Sequence, residues 1–529
     1  MEGLQAAGEA AGQESAGEDP GPGAAETTGG VRRRFSRRQV LSHGATAVGA
    51  FAVGAMGEAR IQRWMREAEV PPPAAPRELL NDASGLNATP VRGITFAGPS
   101  TQVTAARIGP LLRQIANGDE PALVVSGARH SMGGQSLLRG GWVLDTLPMK
   151  SVTVDASHQT MRVGAGATWR TIIPVLNAAG YAPMVMQSNH DFTVGGSLSV
   201  NCHGWHTDSP PIASTVRSLR VMTASGEITT CSPRENVELF GLVLGGYGLF
   251  GIILEADLAI VPNVVYEPRF ESVPTREYAA AFAERVYAPR SRIEMAYGRL
   301  SVDPHSFLEQ AIIGTYLPRP ETRGKVLPLT AQAQNGLRRA VFRNSADNGV
   351  GKSLRWWLEV HLNPHLAGPV SRNSILNTPA SDLANDDPGS TDILHEYFVP
   401  QARLWEFVQA AGEIIRRGEG NLLNVTVRDV RPDDRSALAY ARQDVFGLVM
   451  LFVQERTQAG EARMRAMTRN LIDAAIAAGG TFYLPYRAHA TIEQLHRGYP
   501  AWDATMRAKA RYDPAGVFRN TFYETYRPR

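Results

Sequence analysis

Apolar positions recur along this chain at two periods, and their arrangement changes near residue 265. From about residue 97 to 265, short runs of strand type alternate with helical stretches. Ala122-Leu123-Val124-Val125 is one such apolar run. Residues 104–116 place Ile108, Leu111, Leu112 and Ile115 on one side, which is helical spacing. Residues 151–154 and 161–163 predict a hairpin around Ser157-His158, and residues 219–223 and 227–230 a second one about Ala224-Ser225-Gly226. Residues 169–179 predict a helix closed by Gly180, where a left-handed residue ends the last turn. From about 266 to 480 the helical stretches lengthen (278–287 and 461–478). Strands at 393–399, 422–427 and 448–454 lie between them. This predicts a sheet with helices on one face. Residues 320–390 scatter Gly, Pro and Asn and show no clear period, and no internal repeat is present.

The first ninety residues follow neither pattern. Residues 1–30 are Gly, Ala, Glu and Ser with almost no large apolar side chains, so they cannot bury enough surface to offset chain entropy and are expected to be disordered. Residues 31–59 then carry Ser36-Arg37-Arg38-Gln39-Val40-Leu41, which resembles the twin-arginine export motif. The weakly apolar run 44–56 is short for a membrane span of about 20 residues and suits a signal core. Gly57-Glu58-Ala59 offers small residues for cleavage. The expectation is export to the periplasm or beyond, with no stable membrane span after processing. The alternative is an anchor formed by 44–56. Residues 60–90, with PPPAAP at 71–76, read as a linker.

At 529 residues, two domains are the prior, and a 43% hydrophobic content can fill their cores. The net charge of +3, with basic residues spread along the chain, argues against a nucleic-acid partner. Cys202 and Cys231 are the only cysteines. They are either a pair or two buried thiols. No Cys/His spacing suggests a metal.

Candidate chemistry concentrates in two glycine-rich loops, SGARHSMGGQS at 126–136 and TVGGSLSVNCHG at 193–204. Glycine lets backbone N–H groups approach an anion closely, because no Cβ blocks the way. Two such loops about sixty residues apart suit an extended phosphate-bearing cofactor. This is not a Rossmann unit, since no GxGxxG opens a helix after a first strand.

These loops, with VRSLRVMTASGEI (216–228), LGGYGLFGII (244–253) and the tail segment 483–520, resemble in order the FAD-linked oxidase family. That family includes vanillyl-alcohol oxidase, the aldonolactone and alditol oxidases, cytokinin dehydrogenase and decaprenylphosphoryl-ribose oxidase. The likeness covers roughly 90–265 and returns at 480–529. It implies an α+β fold: a two-subdomain PCMH-type FAD-binding domain (91–265), an α+β substrate or cap domain (266–480) and a C-terminal segment returning to the flavin (481–529). It also implies FAD, covalently bound through His130, because GARHSMGGQS is similar to the GxGHSxxGQ loop whose His joins the flavin 8α-methyl. Ala128-Arg129 departs from that pattern, where a Gly commonly precedes the His. No Cys stands where doubly linked members carry one, so a second link is not expected.

The cofactor contacts implied are Gly127, Arg129, His130, Ser131, Met132, Gly133, Gly134, Gln135 and Ser136 from the first loop. Thr193, Gly195, Gly196, Ser197, His203 and Gly204 follow from the second, then Ile252, Ile253 and Asn520. HEYFVP at 395–400 is similar to the EYxVP strand of sugar and lactone oxidases. Strand alternation sends Glu396 and Phe398 to one face and His395, Tyr397 and Val399 to the other. Glu396, Arg487 and His489 are the catalytic candidates, with Tyr486 beside them. Glu396 would take a substrate proton, and Arg487 would stand at the flavin edge where charge develops. The plainer readings are a hydrogen-bonding loop His130, core positions for Ile252 and Ile253, ion-paired Glu396 and Arg487, and a satisfied tail His489. Cytokinin dehydrogenase carries an Asp base in the stretch that here reads Ser188-Asn189-His190-Asp191. Ser188 holds the equivalent place and Asp191 is three residues out of register, which argues against amine oxidation.

The function expected is an exported FAD-dependent oxidoreductase acting on CH–OH donors. It would oxidise an alcohol group of a sugar, polyol or lactone and pass electrons to O₂ or another acceptor. One alternative is an isoprenoid-linked sugar oxidase at the membrane surface. Another is a flavin-carrying electron-transfer or binding protein without turnover.

Overall fold

The computed structural model describes residues 79–330, 342, 343, 345, 348–380 and 385–528. The disordered segment, the export signal and most of the linker expected before residue 79 lie outside the described residues.

Two sheets build the N-terminal half. Gly93–Phe96, Trp142–Asp145 and Leu123–Ser126 pair in that order as a parallel three-stranded sheet. The helix Thr101–Ala116 is capped by Ser100, whose side chain accepts from Val103 N. It buries Ile108, Leu112 and Ile115, while Leu111 packs partly buried against the same core. The second sheet runs Ile228–Cys231, Val216–Met222, Ile252–Pro262, Thr160–Gly164, Val152–Asp155, with Tyr181–Pro183 added to Ile252–Pro262. Both hairpins fall where alternation places them. Gly180 takes φ +77° directly after the helix Trp169–Ala178 and its cap, Ala179. Cys202 and Cys231 are both buried free thiols.

The cap is one eight-stranded antiparallel sheet. Its order is Val370–Ser371, Val265–Pro274, Gln310–Pro318, Met295–Leu300, Asn421–Val430, Val445–Glu455, Ser390–Pro400, Thr481–Phe482. The helices Tyr278–Val286, Leu404–Arg417 and Gln458–Ala477 pack on one face, around Tyr397, Phe407, Phe446 and Phe452. Fully burying each such ring contributes about 1.5–3 kcal/mol. The other face is not bare, as the sequence pattern had implied. The helix Gly349–His361, inside the stretch without clear period, reaches it through Arg299–Glu359 (2.8 Å) and Arg355 Nη2 to Leu423 O (2.5 Å).

The tail crosses back after the cap. Thr481–Phe482 extends the cap sheet against Tyr397 and Phe398. Leu123 N then donates to Val517 O (2.8 Å), and Arg519 N to Leu123 O (3.0 Å), so the chain end joins the parallel sheet at the strand that feeds the first glycine loop. Asp513 holds this corner. It is buried, pairs with Lys509 and accepts from Val517 N and Phe518 N, both at 2.8 Å.

Candidate FAD site

The first loop leaves the strand Leu123–Ser126 and divides into two parts. Among the described residues, the backbone N–H groups of residues 127–131 have no acceptor within the chain. Arg129 takes φ 55°, a left-handed turn in this run of free amides, of the kind that can bring N–H groups toward an anion. Residues 132–135 are instead bolted to the rest of the protein. Met132 N donates to Pro485 O (2.8 Å), Gly133 N to Gln135 Oε1 (2.9 Å) and Gly134 N to Asp82 Oδ2 (3.1 Å), while Gln135 Nε2 donates to Leu484 O (2.6 Å). A Cβ on Gly133 would stand 2.3 Å from Tyr486 O, so only glycine lets the tail approach. Ser136 Oγ is buried without a partner.

The second loop meets the first directly. A Cβ on Gly127 would lie 2.3 Å from Thr193 Oγ1. Thr193 caps the short helix Val194–Ser199 by accepting from Gly196 N (3.1 Å), and Gly195 N is satisfied by Ala165 O (2.8 Å). Ser197 is fully buried between Trp169 Nε1 (2.9 Å) and Gln187 Oε1 (2.8 Å). Gly195, Gly196 and Ser197 therefore build the turn, and their polar groups are engaged inside the chain. The amides of His203 and Gly204 find no acceptor among the described residues.

His130 stacks on Phe192 with ring centroids 4.4 Å apart. Burial lowers its pKa, against a smaller opposing pull from Asp191, which favours the neutral ring near pH 7. Ile252 and Ile253 open a strand and are buried in the core. Asn520 caps the last helix, accepting from Tyr523 N (2.8 Å) and donating to Tyr247 O (2.9 Å).

On the cap, antiparallel register places Glu396, Phe398, Gly447 and Arg428 on one sheet face. Glu396 is 3% exposed. Its Oε1 lies 2.6 Å from His203 Nε2, poorly aligned for a hydrogen bond, and its Oε2 accepts from Tyr486 OH at 3.3 Å. Burial, then the charge of Glu396, raises the Tyr486 phenol well above its ordinary range, so it stays a donor. Second loop, cap strand and tail thus converge on one buried carboxylate.

Arg487 and His489 do not join it. Successive tail residues point to opposite sides, and these two turn to Glu461 on the helix Gln458–Ala477, at 2.7 Å and 2.9 Å. Arg487 Nη1 also donates to Asn87 Oδ1 (2.8 Å). His489 Nδ1 meets Thr468 Oγ1 (3.0 Å), which reaches His395 Nε2 (3.3 Å). Burial pushes His395 down to about 3. The convergence of Glu396 and Arg487 on one side, expected from the sequence, is not what the contacts show: Tyr486 stands beside Glu396, and Arg487 with His489 clamps the tail to the cap. Arg428 was missed. Its signal was present, because alternation in Asn424-Val425-Thr426-Val427-Arg428 sets a lone cation on one face of a strand otherwise largely buried. Asp191, out of register for a base, is ion-paired with Arg170 and accepts from Ala380 N.

The paired loops thus stand in a glycine-loop domain that meets a sheet cap. Residues 112–232 match the family model described as FAD binding domain. An uncharacterized oxidoreductase from the fasciation locus of Rhodococcoides fascians is 25% identical over 411 residues, 74% of this chain and 85% of that protein. Cytokinin dehydrogenase 2 of Arabidopsis thaliana is 34% identical over 169 residues, 32% of this chain and 34% of its own length. Cytokinin dehydrogenase 8 of Oryza sativa subsp. japonica is 32% identical over 210 residues, 35% of this chain and 40% of its own. The chain thus spans about a third to two fifths of the cytokinin dehydrogenases it matches. Residues 112–232 are an FAD-binding domain, and FAD is the cofactor. The free amides of residues 127–131, beside a neutral His130, fit that group. Among the described residues no acidic, His or Cys cluster suits a metal, and no helix is long and apolar enough to cross a membrane.

The clamp makes a pH prediction. Burial alone would raise the Glu461 carboxyl, but hydrogen bonds from His489, Arg487 and Gln454 outweigh it and hold it well below its usual range. Burial lowers His489 more than Glu461 raises it. Both folded-state values are depressed, so both groups stabilise above their unfolded pKa and lose that contribution as pH falls, His489 from about 6.5 and Glu461 from about 4.3. The melting temperature should decline from pH 7 to 5. His489→Gln should lower it at pH 7 and make the decline shallower. An unchanged slope in thermal melts would assign the decline to other groups.

Proposed function

We propose that the protein is an FAD-dependent oxidoreductase that oxidises an alcohol carbon of a sugar-like, polyol or lactone substrate. The observation that carries this reading is the Glu396 carboxylate, buried against His203 and Tyr486 on the cap face that meets the second loop. When bound, FAD supplies the two-electron acceptor, taking a hydride from carbon. The chain's own residues do the rest. Glu396 accepts the hydroxyl proton. Tyr486 donates to Oε2 and holds the carboxylate in place, and His203 flanks Oε1. The aromatic edges of Phe398, Tyr440 and Tyr483 around His203 exclude water from this corner. Electrons leave to O₂ or another small acceptor.

The cytokinin dehydrogenases among the relatives are named for a different donor. The stretch in which they carry an Asp base holds Ser188 here, and Ser188 Oγ accepts from Arg428 (2.9 Å). Alcohol oxidation therefore has better support than amine oxidation.

Glu396→Gln should slow anaerobic flavin reduction at saturating substrate by about 10²-fold or more, because the proton acceptor acts mainly in the transition state. Stopped-flow bleaching at the wild-type rate would remove Glu396 from this role. His130 is the proposed site of the covalent link to the flavin. Acid-precipitated protein should stay yellow, and His130→Ala should release FAD to the supernatant; free FAD from the unmutated protein would exclude the link. Export by the twin-arginine route belongs to the same proposal. Replacing Arg37 and Arg38 with Lys should retain the protein in the cytoplasm, and unaltered secretion of that variant would point to a different route.

A further inference from the structure

The helix Gly349–His361 turns its polar stripe inward. Lys352 Nζ donates to Asn421 Oδ1 (2.9 Å), Arg355 donates to Ser345 Oγ (2.9 Å) and Leu423 O (2.5 Å), and Glu359 pairs with Arg299 (2.8 Å). These three residues recur at i, i+3 and i+7, one side of a helix with 3.6 residues per turn. The opposite stripe is apolar: Val350, Leu354 and Trp357, then His361. Val350 is 69% exposed and Trp357 55%, and the next turn, Asn363–Leu366, adds Leu366 at 50%. His361, with its ring 5.3 Å from that of Trp357, and His365 are exposed as well. A surface helix ordinarily does the reverse, burying its apolar stripe and giving its charges to water. An apolar stripe left facing out marks an interaction surface.

Its size, charge and residue types fit a lipid surface. The helix has 13 residues and is about 20 Å long, and a strip of that length one side chain wide falls short of the ~800 Å² per partner that a stable protein interface buries. Glu359 is the only acidic residue between Asn348 and Val370, and it faces inward, so the stripe offers no carboxylate to repel an anionic headgroup. Trp357 is the ring type that settles at headgroup level, with an apolar body and a polar tip, and Val350 and Leu366 suit the layer beneath. Among the described residues no helix is long and apolar enough to cross a membrane, so this contact lies on the surface.

We propose that the outward stripe of this helix seats the protein on a lipid surface, with Val350, Trp357 and Leu366 entering the boundary between headgroups and acyl chains. The inward stripe makes the contact stiff. The Glu359–Arg299 pair and the Arg355 bond to Leu423 O fasten the helix to the cap sheet, so lipid that holds the helix also orients the sheet. Arg299, Thr426, Val449 and Glu396 are successive cross-strand partners and lie in one row on one sheet face. Three strand spacings, about 15 Å, separate the backbones of Arg299 and Glu396. Docking therefore holds the sheet face that carries Glu396 at a fixed distance from the bilayer, whatever the chemical role of Glu396.

Flotation with large unilamellar vesicles tests this on the full-length, FAD-loaded protein. Two compositions are used, phosphatidylcholine alone and an equal mixture with phosphatidylglycerol. The wild-type protein should float with at least the mixed vesicles. The double variant Trp357→Glu, Leu366→Glu should bind them tenfold or more weakly with its melting temperature unchanged. Val237→Glu, which alters a side chain 56% exposed on the FAD-binding half, should bind like the wild type. Lipids with brominated acyl chains should quench the wild-type tryptophan fluorescence, and Trp357→Phe should lose most of that quenching. Wild-type protein that floats with neither composition overturns the proposal and needs no variant. So does binding that the double variant retains, which would give the contact to another segment such as the apolar run 44–56. Full quenching in Trp357→Phe overturns it even where the charged variant fails to fold. Self-association in sedimentation equilibrium that the double variant abolishes, without flotation, would assign the stripe to a second copy of the chain and overturn it too.

Discussion

The passage of the tail segment 483–487 between the first glycine loop and the cap sheet is the constraint on which this structure depends. Four short contacts make it: Met132 N to Pro485 O, Gln135 to Leu484 O, Tyr483 N to Glu396 O, and the close approach of Tyr486 O to Gly133. Three of these are main-chain groups meeting main-chain atoms, so they set distances that side-chain rotamers cannot absorb. The free amides of residues 127–131 are presented because residues 132–135 are fastened. Glu396 sits against Tyr486 because the same tail residues also pair with its strand.

Period-two alternation then separates two jobs on adjacent residues. In the strand Ser390–Pro400, Glu396 and Phe398 face the FAD-binding half, while His395 and Tyr397 face the helices of the cap core. In the tail, Tyr486 faces Glu396 while Arg487 and His489 face Glu461. Each chain thus carries chemistry on one side and a buried polar staple on the other. On the staple side a chain of hydrogen bonds runs from Tyr397 OH through His395, Thr468 and His489 to Glu461. A fully connected buried network rigidifies, whereas a half-satisfied one is costly. On the chemistry side, His203, Glu396 Oε1 and Arg428 Nε are left incompletely paired. Unsatisfied buried groups gathered in one place mark where a ligand completes the structure.

Much was legible from sequence alone. The two glycine loops, the hairpins, the principal helices and the alternation that aims Glu396 all depend on local period or on φ that glycine tolerates, and local period is written in the chain. So was the α+β class with its separate cap. Tertiary structure decided the rest. Arg487 and His489 have the right chemistry for a flavin edge, but Glu461, 26 and 28 residues away, claims both, and no local pattern records such a partner. Gly195, Gly196 and Ser197 read as anion donors, yet their groups are satisfied by Ala165, Thr193 and Gln187 once the loop closes. The helix Gly349–His361 covers a face that alternation left open. Arg428 meets Ser188 and the His203 carbonyl only once the cap strand packs against the loops of the other half. Sequence determines which way a side chain points from its own strand, and only the fold determines what stands opposite, because that depends on segments hundreds of residues apart.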